Sequence, residues 1–134
     1  MKIRRRALIV VLCVLLVFSF SAVVYASASK MFFTKTAYGY SCTGRGNITG
    51  TVGTSTFSST PKPMEPIIPQ EACTVTTWVA AYDNNGRIIG DTHNIKYESV
   101  NVQATYRATE SISKIGCGFT FNDMHFGYYY LYNI

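Results

Sequence analysis

The sequence predicts an all-β protein: one small antiparallel β-sandwich, or a partly open barrel, of about seven or eight strands after a cleaved N-terminal signal peptide. Apolar and polar residues alternate along most of the chain, whereas no segment repeats apolar residues at the i, i+3, i+4, i+7 spacing of a helix. Clusters of Gly, Asn, Asp and Pro separate the alternating segments. We place the sandwich domain at residues 29–134, an ordinary length for a single domain.

Residues 1–28 have the three parts of a secretory signal peptide. Met1–Arg6 is basic, Ala7–Phe18 is an unbroken apolar run, and Ala26-Ser27-Ala28 supplies small residues for cleavage after Ala28. We therefore expect the mature protein to be secreted, with no membrane association after cleavage.

An uncleaved N-terminal membrane anchor is the alternative interpretation of the same segment. Ala7–Ala26 contains about 20 residues, which is just long enough to span a bilayer. Ser19 and Ser21 interrupt the apolar run and a good cleavage site follows it, so the sequence favours the signal peptide.

The formal net charge of +5 belongs mainly to the leader. Four of the 12 basic residues are Lys2, Arg4, Arg5 and Arg6, so the remainder carries eight basic and seven acidic groups. A nucleic-acid binder needs a strongly basic face, and this nearly neutral domain is not expected to bind nucleic acid. Aromatic residues make up 14% of the chain, which argues against disorder.

The first half of the domain shows the weaker strand pattern. Met31–Cys42 is predicted to be one strand, Thr43–Gly46 the turn that follows it, and Asn47–Ser58 the returning strand. Segment 60–71 contains all four prolines of the chain. Proline cannot donate to a strand ladder, so this segment is predicted to be a Pro-rich loop within the domain.

Ala72–Tyr82 is the clearest strand in the middle of the chain, because its odd-numbered residues form one apolar or small face. Asp83-Asn84-Asn85-Gly86 is typical of a hairpin turn, since Asn and Gly tolerate positive φ. Arg87–Asp91 is predicted to return as a shorter strand.

Val100–Ala108 and Lys114–Asn122 alternate most regularly, and each has one apolar face. The short link at Glu110–Ser113 predicts that these two strands form a hairpin. The predicted core combines them with Ala72–Tyr82. Its members are Val75, Val79, Val102, Ala104, Tyr106, Ile115, Phe119 and Phe121.

His125–Ile134 is predicted to be the last strand, paired with a neighbour and required for folding. The even-numbered residues of its aromatic run, Phe126 to Tyr132, are expected to close the core. Tyr129 and Leu131 then lie on the other side and form a candidate aromatic binding surface. Because the strand ends the chain, its edge is also a candidate for self-association.

Cys13 lies in the leader, which leaves Cys42, Cys73 and Cys117 in the domain. Three cysteines form at most one intramolecular disulfide, and three pairings are open. Cys73 with Cys117 is our candidate pair, since it would close a long loop. The alternative is that all three thiols are reduced and packed as small apolar groups.

Two Asp-x-His pairs, Asp91 with His93 and Asp123 with His125, contain the only histidines of the protein. Residues i and i+2 of a strand share a side, so two such pairs that met would supply four ligands to a zinc ion. A metal-dependent hydrolase is therefore an alternative function. Asp is equally common as a turn residue at strand ends, which accounts for the same pairs without a metal.

No catalytic motif is found: the chain lacks Gly-x-Ser-x-Gly, His-Glu-x-x-His and a phosphate-binding loop. Cys117, Asp123 and His125 can be combined on paper into a catalytic set, but Cys117 is in phase with apolar residues. We expect no enzymatic activity and no cofactor.

These features predict a secreted, non-enzymatic β-sandwich that binds an extracellular protein or glycan. In composition, the chain also resembles small secreted bacterial β-sandwich proteins that include bacteriocin-like chains, since it has a leader, Ser/Thr-rich strands and an aromatic C-terminus. The small size, the near-neutral charge of the mature domain and the aromatic C-terminal strand are compatible with a secreted antimicrobial or toxin-like protein, which is a further alternative function.

Overall fold

The computed structural model describes residues 6–10 and 27–133 and contains two four-stranded antiparallel sheets. The strands of the first sheet are β1 (Ser27–Ala37), β2 (Tyr40–Thr49), β3 (Val52–Pro61) and β6 (Val102–Arg107). Those of the second are β4 (Thr74–Tyr82), β5 (Ile88–Tyr97), β7 (Lys114–Phe121) and β8 (Met124–Tyr132). The described chain is therefore nearly all β and forms a small β-sandwich, as the alternation predicts.

The chain passes between the two layers three times. β1, β2 and β3 form a meander, β4 and β5 open the second sheet, β6 returns to the first, and β7 and β8 complete the second. The strand orders are β1-β2-β3-β6 and β5-β4-β7-β8. As a result, β6 and β5 lie together at one side of the sandwich, and β1 and β8 at the other.

The core between the sheets confirms the predicted apolar faces of β4, β6 and β7. Seven of the eight predicted core residues are buried, and Phe57, Ile48 and Phe126 join them from other strands. Tyr106 is the exception because it is only half-buried. It lies at the side where β6 meets β5, and its hydroxyl reaches the Ile89 carbonyl at 3.5 Å.

The prediction of one strand over Met31–Cys42 is wrong, because the chain turns in the middle of it. Tyr38 and Gly39 both have left-handed backbone angles, with φ of 54° and 83°. Two consecutive residues of that kind are the requirement of a two-residue type I′ hairpin, whose twist suits the adjoining strands. The turn therefore joins β1 to β2 at Tyr38-Gly39.

The predicted turn at Thr43–Gly46 is also wrong, since these residues lie within β2. The two glycines of this segment leave space for the rings of Phe32 and Phe33 instead. A Cβ at Gly44 would come within 2.3 Å of the Phe33 ring, and a Cβ at Gly46 within 2.7 Å of the Phe32 ring. The absence of side chains here lets both phenylalanines close over the inner side of β2.

The predicted pairing of Val100–Ala108 with Lys114–Asn122 is wrong, although both strands exist. β6 pairs with β3, whereas β7 pairs with β4 and β8. The link between them crosses from one sheet to the other. Ile112 anchors this crossing, because its side chain is 1% exposed and its N–H donates to the Gly50 carbonyl at 3.1 Å.

The hairpin predicted at Asp83–Gly86 is confirmed. The Asp83 carboxylate accepts hydrogen bonds from the N–H groups of Asn85 and Arg87 at 2.9 and 3.0 Å, and Gly86 has a φ of 76°. The returning strand β5 is longer than predicted and continues to Tyr97. This extension gives β4 a full-length partner.

Most of the predicted signal peptide lies outside the described residues. Residues 6–10 are helical, and Ser27 and Ala28 belong to β1. Within residues 6–10 and 27–133, no helix has the length and hydropathy needed to cross a bilayer. The segment between Pro61 and Gln70 contains no strand, and a short 3-10 turn, Gln70–Ala72, follows it.

Candidate binding face

The C-terminal strand turns its aromatic residues the opposite way from the prediction. Phe126 points inward as expected and is 4% exposed, but Gly127 follows with a φ of 97° and the register of β8 against β7 shifts there. A bulge of one residue moves every later side chain to the other side of the sheet. Tyr129 and Leu131 therefore face the core, and the even-numbered tyrosines from Tyr128 onward face solvent.

The candidate surface at Tyr129 and Leu131 is thus corrected. Leu131 is 7% exposed, and the Tyr129 ring stacks on Phe32 with centroids 5.2 Å apart. The Tyr129 hydroxyl donates to the Phe126 carbonyl at 2.8 Å. Leu131 is thus buried and Tyr129 is partly buried against β1, so the two do not form an exposed aromatic surface.

The outer side of the second sheet instead carries a group of aromatic side chains, which we call the aromatic face. Strand register explains it: residues directly opposite one another point to the same side. One row across the sheet is His93, Trp78, Gly118 and Tyr128, and the next contains Gly116 and Tyr130. The members of the aromatic face are Trp78, Tyr82, Lys114, Tyr128, Tyr130 and Tyr132.

Two glycines of β7 allow the Tyr128 ring to lie close to the sheet backbone. A Cβ at Gly116 would lie 2.5 Å from the Tyr128 hydroxyl oxygen, and a Cβ at Gly118 would lie 3.1 Å from the same ring. The Tyr128 ring therefore rests directly on the backbone of β7. Burial, followed by the neighbouring Tyr82 and Tyr130, raises the pKa of Tyr128 above its ordinary value.

Lys114 holds the tyrosines at one end of the aromatic face. Its Nζ lies 4.4 Å from the Tyr82 ring centroid, 4.9 Å from that of Tyr130 and 5.6 Å from that of Tyr132. All three distances are within the range of a cation–π interaction. The ammonium group thus orders three rings at once.

A groove of about 460 Å³ opens at the other end of the aromatic face. It is lined chiefly by Trp78 and Ala80 of β4, Asp91 and His93 of β5, and Tyr128 of β8. The small side chain of Ala80 leaves room between the larger neighbours. The Asp91 and His93 side chains are exposed, and within the described part of the chain neither side chain makes a hydrogen bond or an ion pair.

The other Asp-x-His pair lies at the opposite edge of the second sheet. The Tyr38 hydroxyl donates to Asp123 and holds the pKa of that carboxyl below its ordinary value, while His125 lies 3.1 Å from the Thr120 hydroxyl. β5 and β8 are the two edge strands of the sheet, with β4 and β7 between them. The pairs do not meet, and residues 6–10 and 27–133 contain no group of three or more such side chains that could hold a metal.

The proposed disulfide between Cys73 and Cys117 is wrong, and Cys42, Cys73 and Cys117 are all free and buried. Cys117 is opposite Val79, six residues along β4 from the level of Cys73, or about 20 Å at the rise of a strand. A disulfide needs Cα atoms within about 7 Å. Burial raises the pKa of all three thiols, that of Cys117 to about 12.

The catalytic set of Cys117, Asp123 and His125 is not assembled either. Cys117 points into the core, where it is 0% exposed, while Asp123 and His125 are exposed near the end of the hairpin between β7 and β8. A thiol whose pKa is about 12 carries almost no thiolate at neutral pH and is a poor nucleophile.

Sequence reasoning missed four residues of this site: Trp78, Gly116, Gly118 and Tyr128. Glycines gave two signals. A single glycine inside a strand pattern, such as Gly127, often marks a bulge. The Gly-x-Gly of β7 likewise indicates a close approach by another group.

Comparisons with protein-family models, with curated proteins and with solved structures find no match to this chain.

Proposed function

We propose that this protein is a secreted, non-enzymatic binding module that holds an extracellular ligand on its aromatic face. The observation that carries the proposal is the exposure of Trp78, Tyr128, Tyr130 and Tyr132 on one side of one sheet, at 38%, 48%, 45% and 57%. Secretion is inferred from the sequence of residues 1–28.

Contiguous exposed aromatic side chains indicate an interaction site because they leave apolar area in water. Tyr and Trp present large, rigid surfaces with polar tips, and both are enriched in interfaces. Lys114 and the glycines of β7 already hold these rings in place. Less side-chain entropy is then lost when a ligand binds, which favours affinity.

The test is retention of the secreted chain on immobilised cell-wall polysaccharides, glycans and surface proteins. We expect wild-type protein to be retained by at least one ligand, and the double variant Tyr130→Ser/Tyr132→Ser to be retained at least about tenfold less, the equivalent of 1.4 kcal/mol. The matched control is Thr54→Ala/Thr56→Ala on the outer side of the first sheet, which should bind like wild type.

Equal retention of the tyrosine variant would show that the aromatic face is not the binding site. Retention by none of the three ligand classes would contradict the proposal as a whole. A growth-inhibition assay against related bacteria, run on the same preparations, distinguishes a binding module from the bacteriocin-type alternative.

A further inference from the structure

The groove at Trp78 has the size of a small-ligand site. Its volume of about 460 Å³ falls within the roughly 300–1,000 Å³ that ligand pockets occupy. A protein partner instead covers about 800 Å² on each side of a stable interface. The groove is therefore suited to a compact unit, such as one ring of a longer molecule.

Two of the groove's walls are aromatic rings that meet over the same glycine. A Cβ at Gly118 would lie 3.2 Å from Cε3 of Trp78 and 3.1 Å from Cδ2 of Tyr128. Both rings are held by the sheet beneath them, and both are partly exposed. They offer flat apolar surface to a ligand that has a flat apolar face of its own.

The third wall is polar, and its two side chains have no hydrogen-bond or ion-pair partner among residues 6–10 and 27–133. Asp91 and His93 are two residues apart on β5, so their side chains project on the same side, and both line the groove. A carboxylate only accepts hydrogen bonds, whereas a neutral imidazole donates one and accepts one. Together they complement adjacent hydroxyl groups, each of which both donates and accepts.

The charge of the groove disfavours anionic ligands. Among the described residues, no lysine or arginine side chain lines it, and Asp91 contributes a negative charge. Lys114, the cation of the aromatic face, is directed to the rings of Tyr82, Tyr130 and Tyr132 instead. Phosphate, sulfate and nucleic acid would meet repulsion from Asp91 here, with no lysine or arginine in the lining to offset it.

We propose that this groove binds a pyranose ring of a neutral carbohydrate. The C–H face of the sugar packs on Trp78 and Tyr128, and hydroxyl groups at its rim hydrogen-bond to Asp91 and His93. This inference rests on the proposed function and names the ligand class of that face.

Trp78 is the single tryptophan of the chain and lines the groove, so its fluorescence reports directly on binding there. The probes are neutral oligosaccharides of glucose, galactose, mannose and N-acetylglucosamine, titrated into the full chain while tryptophan emission is recorded. We expect a saturable change with at least one neutral sugar and none with its sulfated form. Asp91→Asn should weaken binding about tenfold, because it replaces a charge-assisted hydrogen bond with a weaker neutral one.

The controls distinguish failure of this inference from failure of the proposed function. Thr105→Ala, on the outer side of the first sheet, should leave the titration unchanged, and thermal melts should show that Asp91→Asn is folded. Sugar binding that is unaffected by Asp91→Asn but abolished by Tyr130→Ser/Tyr132→Ser would overturn the groove and keep the binding face. Retention of surface proteins alone, with no sugar bound, would also overturn the groove and keep the face. Selective binding of the sulfated sugar would overturn the inference.

Discussion

The two outer faces of this sandwich are built on similar sheets but carry different side chains. The outer side of the first sheet, which we call the hydroxyl face, carries mainly serine and threonine, with Met31 as its exposed large apolar residue and no exposed ring among the described residues. The aromatic face carries four exposed rings and a groove. The members of the hydroxyl face are Ser27, Ser29, Met31, Thr34, Thr36, Ser41, Thr43, Arg45, Asn47, Thr49, Val52, Thr54, Thr56, Ser58, Thr60, Gln103, Thr105 and Arg107.

The hydroxyl face shows what folding alone requires of a solvent-facing sheet in this chain. Threonine has high strand propensity and its hydroxyl stays hydrated, so such a face satisfies the backbone without exposing apolar area. The aromatic face exposes rings that this requirement does not explain. The difference between the two faces therefore supports the proposal that the aromatic face binds a ligand.

The largest expected effect tests whether the aromatic face is part of the fold or an addition to it. Truncation before His125 removes β8, including the inward-facing Phe126, Tyr129 and Leu131. We expect the shortened chain to lose its cooperative thermal transition, because the edge of the core is then open to water. A truncated protein that stays soluble and loses less than about 1 kcal/mol of unfolding free energy would make β8 an appendage.

The next effect tests the core that both faces share. The Phe119 ring packs against Phe33 and Phe57 of the opposite sheet, with centroids 5.3 and 6.4 Å apart. Phe119→Ala should reduce the free energy of unfolding by about 3–5 kcal/mol, as measured by urea denaturation. A reduction below about 1 kcal/mol would mean that this ring does not bridge the sheets.

A smaller effect distinguishes the two sides of β8 itself. Leu131→Ala should cost about 2–5 kcal/mol, because it leaves a cavity in the core, whereas Tyr132→Ala should cost less than about 1 kcal/mol. Retention on the ligand of the aromatic face should change in the opposite order. Equal stability losses in the two variants would mean that Gly127 does not invert the strand.

The smallest effect concerns Cys117, which lies between the two faces. Its ordinary pKa is 9.0 and burial raises it to about 12, partly offset by a hydrogen bond with Ser55. Because the folded pKa lies above the unfolded one, the protonated thiol stabilises the fold below about pH 9, and this contribution is lost as the pH rises toward 12.

Urea denaturation at about pH 8 and about pH 10.5 measures this loss, which follows from the difference in proton binding between the two states. Wild type should lose more unfolding free energy between the two pH values than Cys117→Ala does, since the variant lacks this titrating group. Equal losses would show that the thiol ionises as readily in the folded protein as in the unfolded one.

Part of this structure follows from local pattern. The apolar faces of β4, β6 and β7 were predictable because a strand has a period of two and its buried side must be apolar. The hairpin at Asp83–Gly86 was predictable because Asn and Gly tolerate the backbone angles that it needs. Of the candidate site, the Asp91 and His93 pair was identifiable, although for a metal rather than for a groove.

The remaining features depend on contacts between distant segments. β6 pairs with β3 and not with β7, and the link between β6 and β7 is anchored by the buried Ile112. The alternation within either strand does not indicate which strand is its partner. Gly44 and Gly46 are typical of a turn in sequence. In the structure they lie within β2, and phenylalanine rings from β1 fill the space that their side chains would need.

The sequence by itself determined that the chain forms strands, which strands bury one side, and where its strongest turn lies, because those properties depend on residues within one segment. Only the tertiary structure decided which sheet each strand joins, which side of β8 faces water, and that β4, β5 and β8 together form a groove. The physical reason is that strand pairing is non-local, and one bulged residue at Gly127 reverses every side chain after it.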